Sequence, residues 1–350
     1  MSELTRQEIQ QFDSDGMLDR ILSFPQQMQT ADEIARAASL DIKSEQIRNV
    51  CVAGMGGSAI GGDVARMCFA DALKIPYIVN RYYNVPNFVD ENTLVIISSY
   101  SGKTEETLSS YREARERKAQ IVCISSGGTL SEEAKRSGHA VISIPGGAPP
   151  RSALGYLAVP LIYTLHTSGL IPDPSAQIQE TIDLLEKLRS EYSPESDANL
   201  AKEIARKLQN KIPLIFASVD RFEAVAMRWK GQFSENSKVL AFCNVFPELN
   251  HNEVVGWGPL ANVNKNFQAI YLRDKEDHDR VQKRMALTRT IIEKQSGTVI
   301  EVESRGDAVM ARIFSLIFLG DMTSFYLAIL NRVDPTAIKN IDFIKSGLQN

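Results

Sequence analysis

Cysteine and histidine are scarce in this chain of 350 residues, which contains four of each. The cysteines stand apart in apolar, strand-like or helix-like runs: Cys51, Cys68, Cys123 and Cys243. Isolated thiols in such runs, with no CxxC pair, are typical of buried reduced cysteines and not of disulfides. The histidines also lack metal-ligand spacing: His139, His166, His251 and His278. We therefore expect no disulfide framework and no metal site.

The chain also lacks an excess of basic residues and long apolar runs. Its 39 Lys and Arg residues against 43 Asp and Glu residues give a formal net charge of −4, which does not favour nucleic-acid binding. No run approaches 18 uninterrupted apolar residues, so we expect no membrane span. The polar, acidic N-terminal residues are unlike a signal peptide, and the expected location is the cytoplasm.

Strand-like and helix-like patterns alternate along the chain in two rounds. Apolar strands without strict polar alternation indicate parallel sheets covered by helices on both faces, and this length favours two domains. The predicted fold class is α/β, with two doubly wound parallel-sheet domains. The predicted divisions are an N-terminal helical segment 1–45, a first domain 46–168, a helical connector 169–210, a second domain 211–332 and a C-terminal helix 333–350.

A glycine-rich segment, GMGGSAIGG, follows the first strand and begins at Gly54. Gly54, Gly56 and Ala59 fit the dinucleotide-binding pattern G-x-G-x-x-A. That pattern expects an acidic residue at the end of the next strand, and here Asn80 and Arg81 stand there. An NADP-dependent dehydrogenase with Arg81 at the cofactor phosphate stays open, as does a role for the glycines in close strand–helix packing.

A second loop, SSYSGKTEET, places several hydroxyls between a strand and a helix. Ser99, Ser101 and Thr104 cluster where the helix begins. Helix N-termini expose unpaired N–H groups and favour anions. A single hydroxyl suffices for an ordinary helix cap, so three clustered hydroxyls favour a phosphate monoester as ligand. The chain is therefore expected to handle a phosphorylated small molecule.

Five segments together resemble one protein family. In chain order they are GMGGSAIGGD (54–63), SSYSGKTEET (98–107), GGAPPRSALGY (146–156), FSENSK (233–238) and PELNHNEVVGW (247–257). With these motifs, which span most of its length, the chain resembles the bifunctional phosphoglucose/phosphomannose isomerases of the sugar isomerase (SIS) domain superfamily. The resemblance implies two SIS domains, a homodimer, and an active site shared between subunits.

The same resemblance implies a reaction and its residues. Glucose 6-phosphate and mannose 6-phosphate would interconvert with fructose 6-phosphate through an enediolate, without cofactor or metal. Glu235 would be the base that moves a proton between C2 and C1. His251 would open the sugar ring, with Asn250, Asn252 and Glu253 orienting it. The phosphate would be held by side chains or backbone N–H groups of Gly56, Gly57, Ser58, Ser99, Ser101 and Thr104.

Further roles follow from the resemblance for three positively charged residues and one threonine. Arg151, after a stiff Ala-Pro-Pro lead-in, would stabilise the enediolate. Lys345 would lie near the ring oxygen, with Lys339 as the competing candidate. Thr336 is the counterpart of a small threonine in family members that accept mannose 6-phosphate.

Two other interpretations stay open beside the isomerase. The chain could be a sugar-phosphate sensor that binds without turnover, although it shows no basic recognition helix for DNA. It could also resemble the isomerase half of an amidotransferase, although the fused glutaminase that such enzymes carry is absent from this sequence.

Overall fold

The computed structural model describes residues 4–219, 221–295 and 297–348. Residues 1–3 and 349–350, which belong to the predicted terminal segments, lie outside the described residues. The strands are β1 Asn49–Ala53, β2 Tyr77–Asn80, β3 Thr93–Ser98, β4 Gln120–Ser125, β5 Ala140–Ser143, β6 Ile212–Ser218, β7 Phe242–Phe246, β8 Phe267–Arg273 and β9 Val299–Glu303. The helices are α1 Arg6–Gln10, α2 Met17–Leu22, α3 Phe24–Ala37, α4 Gly56–Cys68, α5 Glu105–Glu116, α6 Gly128–Arg136, α7 Leu154–Thr167, α8 Ser175–Glu191, α9 Leu200–Leu208, α10 Glu223–Glu235, α11 Ala261–Asn264, α12 Asp279–Lys294, α13 Val309–Leu330 and α14 Lys339–Gly347.

The chain forms two compact units. The N-terminal unit consists of Ser23–Leu185 and Gly306–Ala311. The C-terminal unit consists of the described residues of Met1–Leu22, Glu186–Arg305 and Arg312–Asn350. The predicted helical connector contains α8 and α9. The five sequence-based divisions stay predictions, and the first of them, 1–45, contributes residues to both units.

Each unit is built on one parallel sheet, which confirms the predicted fold class. The N-terminal sheet has the order β2-β1-β3-β4-β5 and the C-terminal sheet the order β7-β6-β8-β9. All pairings are parallel, with Ala53 of β1 opposite Ile97 of β3. In the N-terminal sheet the strand order reverses between β1 and β3. The carboxyl end of such a switch point is where open α/β sheets bind ligands.

Helices cover both faces of the N-terminal sheet. On one face, Val95 and Ile97 of β3 pack with Tyr111 of α5 and Leu130 of α6 in a buried core. On the other face, α4 lies so close to β1 that a Cβ at Gly62 would be 2.9 Å from a methyl of Val52. The loops that follow β1 and β3 therefore each connect a buried strand to a helix that packs against the sheet.

Helix α7 has no counterpart among the sequence-based predictions. Its residues from Leu154 to Leu165 are buried apart from Tyr156, and it packs against α3 and α4. Because the helix is apolar nearly all round, it shows no amphipathic stripe, and Pro160 within it reads as a helix breaker. Burial between other helices, and not a periodic pattern, makes this segment helical.

The C-terminal unit has an aromatic core and one long apolar helix. Phe216, Phe246 and Tyr271 pack around the sheet with Trp257. By length and composition alone α13 could cross a membrane, yet its apolar 18-residue window is entirely buried in the protein. It therefore has the character of a core helix.

The cysteine environments agree in large part with the sequence interpretation. In the described residues all four are free thiols, and Cys243 is half-buried whereas the other three are buried. Burial raises the pKa of the Cys51 and Cys123 thiols to about 12. These thiols are therefore protonated and unreactive at neutral pH.

Candidate active site

The glycine loop and the hydroxyl loop meet at the switch point of the N-terminal sheet. A Cβ at Gly54, directly after β1, would lie 2.8 Å from the carbonyl oxygen of Ser98 at the end of β3. Ser58 in the first turn of α4 accepts a hydrogen bond on its Oγ from the backbone N–H of Tyr100, at 3.2 Å. The structure thus brings together the segments that contain all six predicted phosphate-binding residues.

The hydroxyls differ in exposure. Ser58 and Ser99 are only 4% and 2% exposed, Thr104 is half-buried and Ser101 is exposed. Ser99 Oγ donates to Thr104 Oγ1 at 3.2 Å, and Ser101 Oγ accepts from the backbone N–H of Lys103 at 3.3 Å. Ser101 and Thr104 therefore offer the more accessible hydroxyls, whereas Ser58 and Ser99 also hold the loops in shape.

Neither helix that begins at this edge is capped by a side chain. Met55 stands at the N-cap of α4 and Thr104 at the N-cap of α5, and neither makes a side-chain cap hydrogen bond. The ordinary capping role considered for the hydroxyl loop is thus not what Thr104 does. Two helices of 13 and 12 residues thus begin at the switch point with uncapped N-termini, whose unpaired N–H groups favour an anion.

Arg151 is held beside these loops. It lies in a 3₁₀ turn, Pro150–Ser152, and is 5% exposed. A Cβ at Gly57 would be 2.8 Å from the carbonyl oxygen of Pro150 and 3.5 Å from Cα of Arg151. The absence of a side chain at Gly57 therefore permits the approach of the arginine segment to the glycine loop.

Arg81 has a different partner from the one that a dehydrogenase requires. Its guanidinium forms an ion pair with the carboxylate of Asp63 in α4. That carboxylate would compete with a cofactor phosphate for the same guanidinium. The NADP interpretation loses its main residue on this ground.

In the C-terminal unit, Glu235 is the last residue of α10 and is half-buried. The helix is anchored to α13 by the buried carboxylate of Asp321, which accepts two bonds from Arg228 (3.0 and 2.6 Å) and one from Gln232 at 2.8 Å. Burial raises the pKa of Asp321, while the charge of Arg228 acts in the opposite direction. The face of α10 that carries Arg228 and Gln232 thereby fixes the position at which Glu235 ends the helix.

The turn after Glu235 is fixed to neighbouring segments. Asn236 Nδ2 donates to Ser324 Oγ at 2.9 Å. Lys238 Nζ donates to the carbonyl oxygen of Glu235 at 2.6 Å and to that of Pro335 at 3.4 Å. Pro335 precedes Thr336, which is half-buried, so Lys238 links the segment of the predicted specificity residue to the end of α10 at the predicted base.

The two candidate lysines lie on α14. Lys339 is its first residue and Lys345 lies in its last turn. Both are exposed, and α14 has no buried residue.

His251 ends a 3₁₀ turn, Glu248–His251, and is exposed. The structure gives its neighbours other partners than its ring. Asn250 donates to Thr288 at 2.7 Å, Asn252 donates to Glu248 at 3.0 Å, and Glu253 accepts from Asn244 at 2.6 Å. Each of these side chains thus has another partner in the isolated chain, and the expectation that they orient His251 stays a prediction.

Glu235 and His251 lie at opposite ends of the strands of the C-terminal sheet, Glu235 at the amino ends and His251 at the carboxyl ends. Helix α10 follows β6 from the carboxyl edge and ends at Glu235 before β7 begins, and His251 follows the end of β7, which pairs parallel with β6. A helix of 13 residues rises by about 20 Å. Within one chain the structure therefore keeps these two residues apart.

Sheets of this order, the first with glycine and hydroxyl loops at its switch point, define the class of SIS-domain proteins. A family model described as SIS domain matches residues 45–160. A second one, described as bacterial phospho-glucose isomerase C-terminal SIS domain, matches residues 197–348. Across the part of the chain that the structure describes, no group of three or more His, Cys, Asp or Glu side chains could hold a metal ion.

Curated proteins with similar sequences show which family of SIS-domain proteins the chain belongs to. A bifunctional phosphoglucose/phosphomannose isomerase from Caldicellulosiruptor bescii is 46% identical over 334 residues, which cover 95% of this chain and 98% of that protein. An enzyme of the same name from Thermoplasma acidophilum is 36% identical, over 93% of this chain and 98% of that protein. The chain therefore belongs to the bifunctional phosphoglucose/phosphomannose isomerase family. A hypothetical protein from Thermus thermophilus, with a TM-score of 0.76 at 14% identity, shares the fold over 99% of this chain and 93% of that one.

Proposed function

We propose that the protein is an aldose–ketose isomerase that interconverts glucose 6-phosphate and mannose 6-phosphate with fructose 6-phosphate. The observation that carries this proposal is the pair of uncapped helix N-termini at one switch point, lined by Ser101 and Thr104, in a chain of this family. Such a site suits a dianionic phosphate monoester. Its relatives carry the two activities in their names, and the proposal extends both to this chain.

The proposed chemistry assigns one role to each candidate residue. The carboxylate of Glu235 takes the proton from C2 of the open-chain aldose and returns it to C1, which leaves a planar enediolate in between. Arg151 stabilises the negative charge of that enediolate. His251 moves the proton that opens the ring, and Lys345, or Lys339 in its place, lies near the ring oxygen. These steps need neither a redox cofactor nor a metal.

A planar enediolate also explains how one site could serve two sugars. Glucose and mannose differ only in the configuration at C2, and that centre is lost when C2 becomes planar. Rotation of the C1–C2 unit above Glu235 would present either face for reprotonation. Thr336, beside the turn that contains Glu235, is the residue that we propose leaves room for this rotation.

We further propose a homodimer in which His251 acts in the site of the partner. The support is the position of Glu235 and His251 at opposite ends of the strands of one sheet, together with the exposure of His251. A two-fold axis that brings two copies together supplies each site with the histidine of the other copy. We further propose a cytoplasmic location, supported by the names of its relatives as sugar-phosphate isomerases and by the complete burial of the apolar window of α13.

The first test is turnover. The wild-type protein should convert fructose 6-phosphate to both aldose phosphates in coupled assays, whereas binding without turnover would favour the sensor. Glu235→Gln should lower kcat by about 10²-fold or more, as loss of a general base does. Glu223→Gln, at the other end of α10, is the matched control and should keep full activity. More than about a tenth of activity left in Glu235→Gln would exclude it as the base.

The second test addresses the partner's histidine. Glu235→Gln and His251→Ala are each expected to be inactive. When the two are refolded together, mixed dimers with a shared site contain one intact site, and about a quarter of wild-type activity should return by random pairing of the chains. A site built from one chain alone would give no recovery.

A further inference from the structure

Tyr100 joins the segments that form the candidate phosphate site. It is 5% exposed. Its backbone N–H donates to Ser58 Oγ at 3.2 Å. Its carbonyl oxygen accepts from the backbone N–H of Ser126 at 3.0 Å and from the Oγ of the same residue at 2.7 Å. Its phenolic oxygen accepts from the backbone N–H of Ala148 at 3.2 Å. One residue thus contacts the glycine loop, the loop after β4 and the segment before Arg151.

The phenolic contact lies at the upstream end of the arginine segment, where the chain enters its stiff Ala-Pro-Pro lead-in. Downstream of Arg151, the carbonyl oxygen of Ser152 accepts from the buried side chain of Gln27 at 2.8 Å. Upstream, Ala148 follows Gly147, whose φ is +89°. A glycine in that conformation confers little stiffness on the chain. The hydrogen bond from Ala148 to Tyr100 therefore restrains the end of the segment that Gln27 does not hold.

Packing alone does not account for the hydroxyl. A phenylalanine at position 100 would fill nearly the same volume, and a buried tyrosine oxygen is found where a hydrogen bond awaits it. The hydroxyl of Tyr100 accepts a hydrogen bond from the backbone three residues before Arg151.

We infer that Tyr100 is a positioning residue that sets the approach of Arg151 to the reacting carbons through the backbone of Ala148. The inference rests on the proposed function and adds a residue to it. Tyr100 does not touch the substrate in this scheme. The backbone N–H of the same residue donates to Ser58. Tyr100 therefore fixes the position of the phosphate loop relative to the arginine segment, and with it the position of the sugar's phosphate relative to Arg151.

The test is Tyr100→Phe, which keeps the ring and removes the hydroxyl. The matched control is Tyr111→Phe. Tyr111 is fully buried in the same unit, and its hydroxyl bonds to His139 Nδ1 at 3.0 Å, away from the loops. We expect Tyr100→Phe to lower kcat about tenfold to hundredfold, as a displacement of a catalytic group by about 1 Å does. The KM for fructose 6-phosphate and the inhibition constant of inorganic phosphate should change by less than about twofold, because the anion site is untouched.

A double-mutant cycle separates positioning from general loosening of the fold. In an Arg151→Ala background, Tyr100→Phe should cause no further loss of kcat, because the group that it positions is gone. Melting curves by circular dichroism should place Tyr100→Phe close to Tyr111→Phe. The inference is overturned if kcat of Tyr100→Phe equals that of the wild type, if its loss persists unchanged without Arg151, or if phosphate binding weakens in parallel with kcat.

The failure of the underlying proposal would look different. A wild-type protein that binds sugar phosphates without isomerising them defeats the proposed function, and the inference with it. An active wild-type enzyme with a fully active Tyr100→Phe variant defeats the inference alone.

Discussion

Replacement of Gly102 by alanine should destabilise the N-terminal unit by more than the cost of a left-handed alanine alone, because the added Cβ would also meet neighbouring backbone. Gly102 has a φ of +64°, and a Cβ there would lie 1.8 Å from the carbonyl oxygen of Gly127 and 2.9 Å from Ser125 Oγ. The left-handed conformation costs an alanine about 1–2 kcal/mol. Overpacking against backbone that must shift adds about 1–3 kcal/mol. The expected loss of stability is therefore about 2–5 kcal/mol.

The chain offers a control for the conformational part. Gly138 lies in the same unit with a φ of +75°, and a Cβ there would meet no atom within 4 Å. Gly138→Ala should thus lose only about 1–2 kcal/mol. The difference between the two variants isolates the cost of the contact between the hydroxyl loop and the loop after β4.

Hydrogen exchange followed by mass spectrometry suits this comparison, because the amides of β3 and β4 report the opening of the N-terminal unit alone. The inhibition constant of inorganic phosphate is the second readout, and loss of one bond to a charged group should raise it about tenfold or more in Gly102→Ala. Gly138→Ala should leave it unchanged. Equal opening free energies for the two variants, within about 0.5 kcal/mol, would refute the tight approach.

Three further predictions follow from burial and charge. A thiol reagent at neutral pH should modify at most Cys243 in the folded protein and all four cysteines in denaturant, and modification of a second cysteine in the folded state would contradict the burial. Arg228→Met should cost about 3–5 kcal/mol, because it leaves Asp321 buried without its arginine, whereas Arg289→Gln, in an exposed pair, should cost less than about 1 kcal/mol; equal shifts in the urea midpoint would refute this. Burial lowers the pKa of His139 in the folded protein from its ordinary value of 6.5. The neutral imidazole therefore stabilises the fold fully above pH 6.5, and this stabilisation is lost as the pH falls through the lowered pKa of the folded state. Urea midpoints of His139→Gln should accordingly vary less between about pH 5 and 7 than those of the wild type, and an unchanged slope would contradict the assignment.

Much of the N-terminal unit could be predicted from the sequence, because its strands are short apolar runs and four of the five end at or directly before a serine or glycine. The run at 93–100 illustrates the limit of that precision. The sheet ends at Ser98, since the backbone of Ser99 and Tyr100 turns away to form the hydroxyl loop. Strand β7 likewise runs from Phe242 to Phe246, although the apolar run in the sequence already begins at Val239. Local patterns give the existence of an element and leave its ends to tertiary contacts.

The partners of the site residues could not be predicted, because they come from distant parts of the chain. Tyr100 and Ala148 are separated by 48 positions, and Asn250 and Thr288 by 38. No local pattern reports such bonds. The bond from Asn250 to Thr288 shows that a side chain next to His251 in sequence can bind a residue far from it along the chain.

Two sheets of similar strand order raise the question of why only the first is a candidate for binding phosphate. In the C-terminal sheet the order reverses between β6 and β8. After β8, the backbone N–H of Asp274 donates to the carboxylate of Asp277 at 2.9 Å, and that of Glu276 donates to the carboxylate of Asp274 at 2.9 Å. Two N–H groups of this loop are thus bound to carboxylates of the chain itself.

The next helix repeats the contrast. His278 caps α12 with its ring, which accepts from the N–H of Arg280 at 3.0 Å, whereas Thr104 leaves α5 uncapped. The carboxylate of Asp274 is in turn neutralised by the buried guanidinium of Arg312, at 2.9 Å. In the loop after β8 two N–H groups are bound to carboxylates and the next helix is capped, whereas the loop after β3 offers glycine, hydroxyls and an uncapped helix end to an anion. The shared topology therefore supplies a place for an anion in both units, and at these two equivalent loops the side chains favour a phosphate in the N-terminal unit.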